Sequence, residues 1–166
     1  MASTTSRFWM FWFGIAAMLL LAVVPQSAVA GNGKSELAVI VASGSPISEL
    51  SFYELKLMYK GDRVAQPGGK PLVPLNRGVH SPDRVGFDRT VLGMSPQEVA
   101  RYWIDRKIRG QSGAPKAIDP AQLVVKVVAR LDGAVSYVPM SAVTNDVKVV
   151  AIDGKKPGSE GYPIAY

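Results

Sequence analysis

Cysteine is absent from this chain of 166 residues, and histidine occurs once, as His80. Without cysteine the chain cannot form disulfides, thiolate metal sites or a lipid-modified cysteine anchor. One histidine and no dense acidic group provide too few metal ligands, and the sequence predicts no cofactor. Runs of basic residues are also missing, although the formal net charge is +6. Scattered basic residues predict no nucleic-acid binding but allow an anionic partner.

Signatures of catalysis are equally scarce. Ser81 and Asp83 lie close to His80 in sequence, but a catalytic triad is assembled by the fold rather than by adjacency. No G-x-S-x-G motif is present, and the two glycines before Lys70 lack the spacing of a phosphate-binding P-loop. We therefore expect a protein that is not an enzyme. A hydrolase that uses His80 is a remote alternative.

The longest apolar run lies in the first thirty residues. Arg7 is the only charged residue of this segment, residues 8–24 are apolar, and a small-x-small triplet ends at Ala30. This layout predicts a secretory signal peptide over residues 1–30, cleaved after Ala30, and a periplasmic protein. An uncleaved membrane anchor is the alternative, because the run is close to the shortest that spans a bilayer.

The rest of the chain alternates between strand and helix patterns. After a polar lead-in at 31–36, the domain is predicted over 37–152, with strands at 37–42, 71–75, 134–138 and 147–152. Helices are predicted to begin at Ser51, Ser81 and Ser95, and at Asp119-Pro120. The first strand is apolar throughout, which favours parallel pairing. The fold class is therefore α/β, with three layers and a largely parallel (mixed) sheet of about four strands flanked by helices. Residues 153–166 are predicted to form a surface tail.

One stretch, residues 71–93, has the pattern of an anion site. A strand leads through a short polar loop into a helix that begins after Ser81, and helix N-termini attract anions. Arg77 supplies paired donors for an oxyanion, and the amides of Asp83 and Arg84 lie in the first helical turn. The alternative is that Ser81 only caps the helix and the arginines are solvated.

Four motifs in this order resemble a known family. They are LMYKG at 57–61, PLVPLNRGVHS at 71–81, YW at 102–103 and GAVSYVPMSAV at 133–143. Together they are similar to the phosphate-binding, periplasmic-binding-protein-like domains of ABC phosphate uptake, in which an arginine precedes a helix-start serine by four residues. The resemblance implies a lobe of the type II periplasmic-binding-protein kind. It also implies an oxyanion site, for which the candidate residues are Arg77, Ser81, Asp83, Arg84, Ser43, Ser45 and His80.

Two departures from that family shape the functional hypothesis. Pro82 and Asp83 stand where the family has glycine and threonine, and the chain is too short for two lobes. The resemblance therefore implies a single lobe that binds phosphate or a similar oxyanion weakly, for uptake or sensing, with a membrane permease or sensor as partner. A site completed by a second copy, in a homodimer, is also open. The alternative is a ligand-free interaction module that docks an envelope transporter or sensor.

Overall fold

The computed structural model describes residues 35–166, so the predicted signal peptide lies outside the described residues. The helices are α1 (Phe52–Tyr59), α2 (Pro82–Phe87), α3 (Pro96–Ile108) and α4 (Ala121–Val128). The strands are β1 (Leu37–Ala42), β2 (Glu49–Leu50), β3 (Val73–Asn76), β4 (Lys116–Ala117), β5 (Ala134–Pro139), β6 (Val147–Val149) and β7 (Ala151–Ile152). Within this part of the chain, no helix is long and apolar enough to cross a bilayer.

The main sheet has five strands in the order β4-β3-β5-β1-β6. Strand β3 is parallel to β4 and β5, whereas β1 is antiparallel to both β5 and β6. Four of the five strands therefore run in one direction, which confirms the predicted largely parallel, mixed sheet. The parallel pairing predicted for β1 is wrong. Its apolar composition reflects burial on both faces, which does not determine strand direction.

Alternate residues of β1 belong to two different cores. Leu37, Val39 and Val41 pack with α1, α2, α3 and the turn after α2, whereas Ala38 and Ile40 pack with α4. Successive side chains of a strand point to opposite faces. The sheet is therefore covered on both faces, and the predicted three-layer arrangement is confirmed.

Short local signals account for the helix starts. Ser51 and Ser95 each form a complete capping box, with Glu54 and Glu98 accepting the backbone N–H of the serine at 2.8 and 2.7 Å. These contacts satisfy donors that a helix end otherwise leaves free, and they lower the pKa of both glutamates. The starts predicted from S-x-x-E are thereby confirmed.

The second helix differs from its predicted form. The sequence of 82–93, which ends in a glycine, predicts one α-helix from Pro82 to Leu92, but the α-helical part ends at Phe87 and a π-helical turn covers Asp88–Leu92. Gly93 then ends the segment with a left-handed φ of 70°, as its position predicts. The turn widens the backbone at Asp88, a residue of the candidate site described below.

The predicted surface tail is a second difference. Tyr162 and Ile164 are buried in the core, and the Tyr162 hydroxyl donates to the carbonyl of Leu37 at 2.7 Å. Burial raises the pKa of Tyr162. The many glycines, prolines and lysines of 153–166 conceal these two core residues in the sequence. The segment therefore packs beside β1 through Tyr162 and Ile164, while Tyr166 is exposed.

Candidate functional site

The carboxyl end of β3 is held in place before the candidate loop begins. The Asn76 side-chain oxygen accepts the N–H of Arg77 at 3.2 Å and also the hydroxyl of Tyr137. Tyr137 stacks on Phe87 of α2, with ring centroids 3.7 Å apart. Strand end, neighbouring strand and helix therefore fix the two ends of the loop that carries the predicted site.

The Arg77 side chain is buried and forms ion pairs with two carboxylates. Its Nε donates to Asp119 Oδ1 at 2.7 Å, and its Nη1 donates to Asp83 Oδ2 at 2.8 Å. Asp83 comes from the first turn of α2, and Asp119 comes from the loop before α4. The guanidinium therefore binds oxyanions, as its paired donors predict, but the oxyanions are side chains of this chain.

Gly78 makes room for one of those carboxylates. A Cβ at this position would lie 1.9 Å from Asp119 Oδ2, so no other residue fits while Asp119 keeps its place. The Asp119 side chain is nevertheless 42% exposed, whereas that of Asp83 is 16% exposed. Asp119 is thus the partner that can leave Arg77 with less rearrangement.

Arg84 lies on the buried side of α2 and forms an ion pair with a different aspartate, Asp88. Its Nε donates to Asp88 Oδ2 at 2.5 Å, and its Nη1 donates to the carbonyl of Arg77 at 3.3 Å. Burial raises the pKa of the Asp88 carboxyl, while the attraction to Arg84 opposes that shift. Asp88 Oδ1 has no hydrogen-bond partner within residues 35–166. Arg84 is a predicted oxyanion ligand, but its side chain is buried and already paired with Asp88.

Ser81 and His80 lie beside the two arginines. The Ser81 hydroxyl oxygen accepts the N–H of Arg84 at 3.4 Å, which makes it the cap of α2. His80 is exposed, and no hydrogen bond joins it to Ser81 or to an aspartate in the described part of the chain. The geometry gives no support to nucleophilic catalysis by these residues.

Ser43 and Ser45 do not belong to this site. They follow the carboxyl end of β1, which is antiparallel to β5, so that end lies with the amino end of β3. Arg77 follows the carboxyl end of β3, at the opposite edge of the sheet. The Ser45 hydroxyl accepts the N–H of Ile47 at 3.2 Å, a local turn contact. The prediction that joined the two serines to Arg77 is therefore wrong, because sequence order does not give strand direction.

Three residues of the site were missed in the sequence: Asp88, Asp119 and Tyr166. The sequence predicts Asp119-Pro120 as the start of the fourth helix, and in the structure Pro120 is the capping residue, without a side-chain hydrogen bond. The Tyr166 hydroxyl donates to Asp83 Oδ1 at 3.1 Å, and burial, aided by Asp83, raises its pKa. The acidic residues were visible, but nothing in the sequence indicated which arginine each would reach.

The charge of the loop follows from these contacts. Arg77 contributes one positive charge, and Asp83 and Asp119 contribute two negative charges. A further anion at Arg77 would meet the two carboxylates that already bind its Nε and Nη1 groups. Residues 35–166 also contain no cluster of three or more side chains able to hold a metal ion.

Comparison with known proteins gives structural matches alone. No family model and no curated protein matches the sequence. A putative phosphate ABC transporter substrate-binding protein with bound phosphate from Clostridium perfringens superposes with a TM-score of 0.64 at 20% identity, over 80% of this chain and 53% of that one. An ABC-type phosphate transport receptor from Vibrio cholerae gives 0.63 at 16% identity, over 80% and 54%.

A third structure, PstS from Borrelia burgdorferi, gives a TM-score of 0.61 at 13% identity and covers 80% of this chain and 55% of that one. This chain therefore spans about half the length of the structures it matches. The first of these neighbours is named a substrate-binding protein and the second a phosphate transport receptor. The chain has a periplasmic-binding-protein-like fold and resembles, over half their length, the substrate-binding proteins of phosphate ABC transporters.

Proposed function

We propose that this chain is a periplasmic solute-binding-like lobe that binds phosphate or a similar small oxyanion at Arg77, and binds it weakly. The observation that carries the proposal is the pair of carboxylate oxygens at 2.7 and 2.8 Å from the Arg77 guanidinium. These contacts support a site whose geometry suits oxyanions. To bind there, a free anion has to replace one of the two side-chain carboxylates.

Three further features support this assignment. Ser81 places the N-terminus of α2 beside the loop, where backbone N–H groups and the helix dipole favour an anion. The Asp119 side chain is about half-exposed, which would allow it to move away from Arg77. One structural neighbour contains phosphate, and a second is described as a phosphate transport receptor. Uptake or sensing, with a membrane permease or sensor as partner, is the role that such neighbours suggest.

The competition with Asp119 provides the test. Phosphate binding is measured by calorimetry for the wild type, Asp119→Asn and Arg77→Met. We expect millimolar binding for the wild type and loss of binding in Arg77→Met. A like charge about 4 Å away costs an anion about 1 kcal/mol in water, so Asp119→Asn should bind phosphate about five-fold more tightly.

A matched control is available in Asp132→Asn. Asp132 is also an aspartate paired with a cation, Lys70, at 2.8 Å, but it belongs to the turn before β5. This substitution should leave phosphate affinity unchanged. If neither the wild type nor Asp119→Asn binds phosphate at about 10 mM, the proposal fails. This concentration is well above the dissociation constant that corresponds to the expected binding free energy of about −4 kcal/mol.

The second candidate is an interaction module of the same fold, without a ligand, that docks an envelope transporter or sensor. The same observation favours it, since the charge of Arg77 is already balanced by this chain. Under this hypothesis Asp119 never leaves Arg77 in the working protein. If neither the wild type nor Asp119→Asn binds phosphate although both are folded, this second candidate is favoured.

Both candidate functions assume that the protein is exported from the cytoplasm. The apolar run at 8–24 and the triplet ending at Ala30 support a signal peptide that is removed. Intact-mass measurement of the protein isolated from the envelope decides the point. A mature chain beginning at Gly31 is expected, and retention of Met1 would favour the membrane-anchor alternative.

A further inference from the structure

A cleft of about 500 Å³ lies between the α2 segment, α3 and the 114–117 loop. Its walls are mostly apolar, formed by Val79, Pro96, Trp103 and Pro115. Ligand pockets in proteins fall in this size range and combine apolar walls with a few placed polar groups. The cleft therefore has the size and lining of a small-molecule site, beside the Arg77 loop and separate from the donors of Arg77.

Four polar side chains line the cleft, those of His80, Arg84, Asp88 and Gln97, and of these Arg84 and Asp88 form a buried ion pair. Asp88 is 3% exposed, its Oδ2 accepts from Arg84, and its Oδ1 has no partner within residues 35–166. Buried polar atoms nearly always have a hydrogen-bond partner, because leaving one unpaired costs free energy. Asp88 lines the cleft, and the unpaired buried acceptor on its side chain indicates what a ligand that reaches it must bring.

The charges of this ion pair narrow the ligand class. A cationic group on Asp88 would lie beside the Arg84 guanidinium, and an anionic group would lie beside the Asp88 carboxylate. Each would also lose its hydration among apolar walls. A neutral N–H or O–H donor avoids both penalties. The flat faces of Trp103 and the two prolines suit an aromatic ring.

We propose that this cleft binds a small neutral aromatic molecule whose N–H or O–H donates to Asp88 Oδ1, while its ring packs against Trp103. Phosphate does not fit this site, so the inference does not depend on the oxyanion proposal. The two sites share one helix and differ in ligand chemistry.

A pair of probes of the same shape tests the donor requirement. Indole carries an N–H, and benzofuran has an oxygen acceptor in its place. Calorimetry with the full chain should give indole binding at least ten-fold tighter than benzofuran binding, because only indole supplies the missing donor. Equal affinities, or no saturable indole binding, would overturn the proposal.

Two variants locate the binding. Ala100 is exposed on α3 and lines the cleft, so Ala100→Phe fills the cleft without disturbing the core and should abolish indole binding. Ile104→Phe is the matched control, because Ile104 is exposed one turn further along α3 and does not line the cleft. It should bind indole as the wild type does. Indole binding that survives Ala100→Phe would place the ligand elsewhere and refute the assignment.

Asp88→Asn tests the acceptor itself. The asparagine oxygen can keep the contact with Arg84 while its NH₂ group takes the position of Oδ1. The cleft would then offer a donor, and the preference should invert in favour of benzofuran. A variant that still prefers indole ten-fold would show that Asp88 does not select the ligand.

Discussion

Arg77 and Arg84 are equally buried arginines, seven residues apart, whose aspartate partners differ in exposure. Their side chains are 8% and 7% exposed. The Arg84 partner, Asp88, is 4% exposed and lies one turn away on the same helical segment, whereas the Arg77 partner Asp119 is 42% exposed and comes from a distant loop. The two ion pairs therefore differ in the exposure of the aspartate and not in the burial of the arginine, and we expect the pair with the exposed aspartate to exchange more readily.

Removing Arg84 should have the largest effect on stability. Arg84→Met leaves the Asp88 carboxylate buried without its cation, which costs about 3–5 kcal/mol in comparable cases. Urea unfolding followed by circular dichroism measures the loss. The double variant Arg84→Met with Asp88→Leu should recover most of it, since both charges are then gone. A loss below about 1 kcal/mol in the single variant would mean that water reaches the pair.

Removing Arg77 should cost less. In Arg77→Met, Asp119 returns to solvent and only Asp83 is left partly buried, so we expect a loss of about 1–3 kcal/mol in the same urea experiment. Adding Asp119→Asn to Arg77→Met should change stability little, because Asp119 has by then lost its partner. If Arg77→Met were as damaging as Arg84→Met, the proposed contrast between the two pairs would be wrong.

Gly78→Ala should separate Asp119 from Arg77 with little loss of stability. The new methyl group occupies the place of Asp119 Oδ2, and the half-exposed side chain moves away. An ion pair with one exposed partner is worth up to about 1 kcal/mol, which sets the expected loss. A crystal structure of the variant should show Arg77 Nε without Asp119.

Gly44→Ala is the control for that substitution, because nothing lies within 4 Å of a Cβ there. Phosphate affinity should rise in Gly78→Ala, as in Asp119→Asn, and stay constant in Gly44→Ala. A Gly78→Ala protein that keeps the Asp119 contact through a shifted backbone would show that the pair is rigid.

The smallest effect concerns the pH dependence of Asp88. Burial raises its pKa in the folded protein, so the folded state holds the proton more tightly than the unfolded state does. The resulting contribution to stability is complete below the unfolded pKa of about 3.9 and is lost as pH rises through the folded pKa. The lowered pKa values of Glu54 and Glu98 act in the opposite sense, so the decline is measured as the stability of the wild type minus that of Asp88→Asn, from urea unfolding at several pH values. This difference should fall as pH rises, and identical pH profiles for the two proteins would contradict the assignment.

Local signals in the sequence predicted more of the fold than of the site. Ser51 and Ser95 were recognised as helix starts because their partners lie three residues away. The contact between Arg77 and Asp119 joins residues 42 positions apart, and the loop before α4 gave no sign of it. The sequence therefore did not predict Asp119 as part of the site, whereas it did predict Arg77, Ser81 and Asp83.

Strand direction and the final segment show the same limit. The composition of β1 indicated burial on two faces but left its orientation undetermined, which placed Ser43 and Ser45 at the wrong edge of the sheet. The sequence did not predict that Tyr162 and Ile164 are buried, because they lie among glycines and lysines. A segment that runs beside a core strand needs only a few apolar residues, too few to form a recognisable pattern.

The hydrogen bonds between Ser35 and Tyr166 have a consequence for how such a lobe can be combined with others. The N–H of each residue donates to the carbonyl of the other at 2.9 Å, so the described polypeptide leaves the fold at the point where it entered. A unit whose two ends meet can be inserted into a loop of another protein, or rejoined in a different order, without rerouting its interior. Linking 166 to 35 and opening the chain elsewhere would then yield a circular permutant of the same architecture.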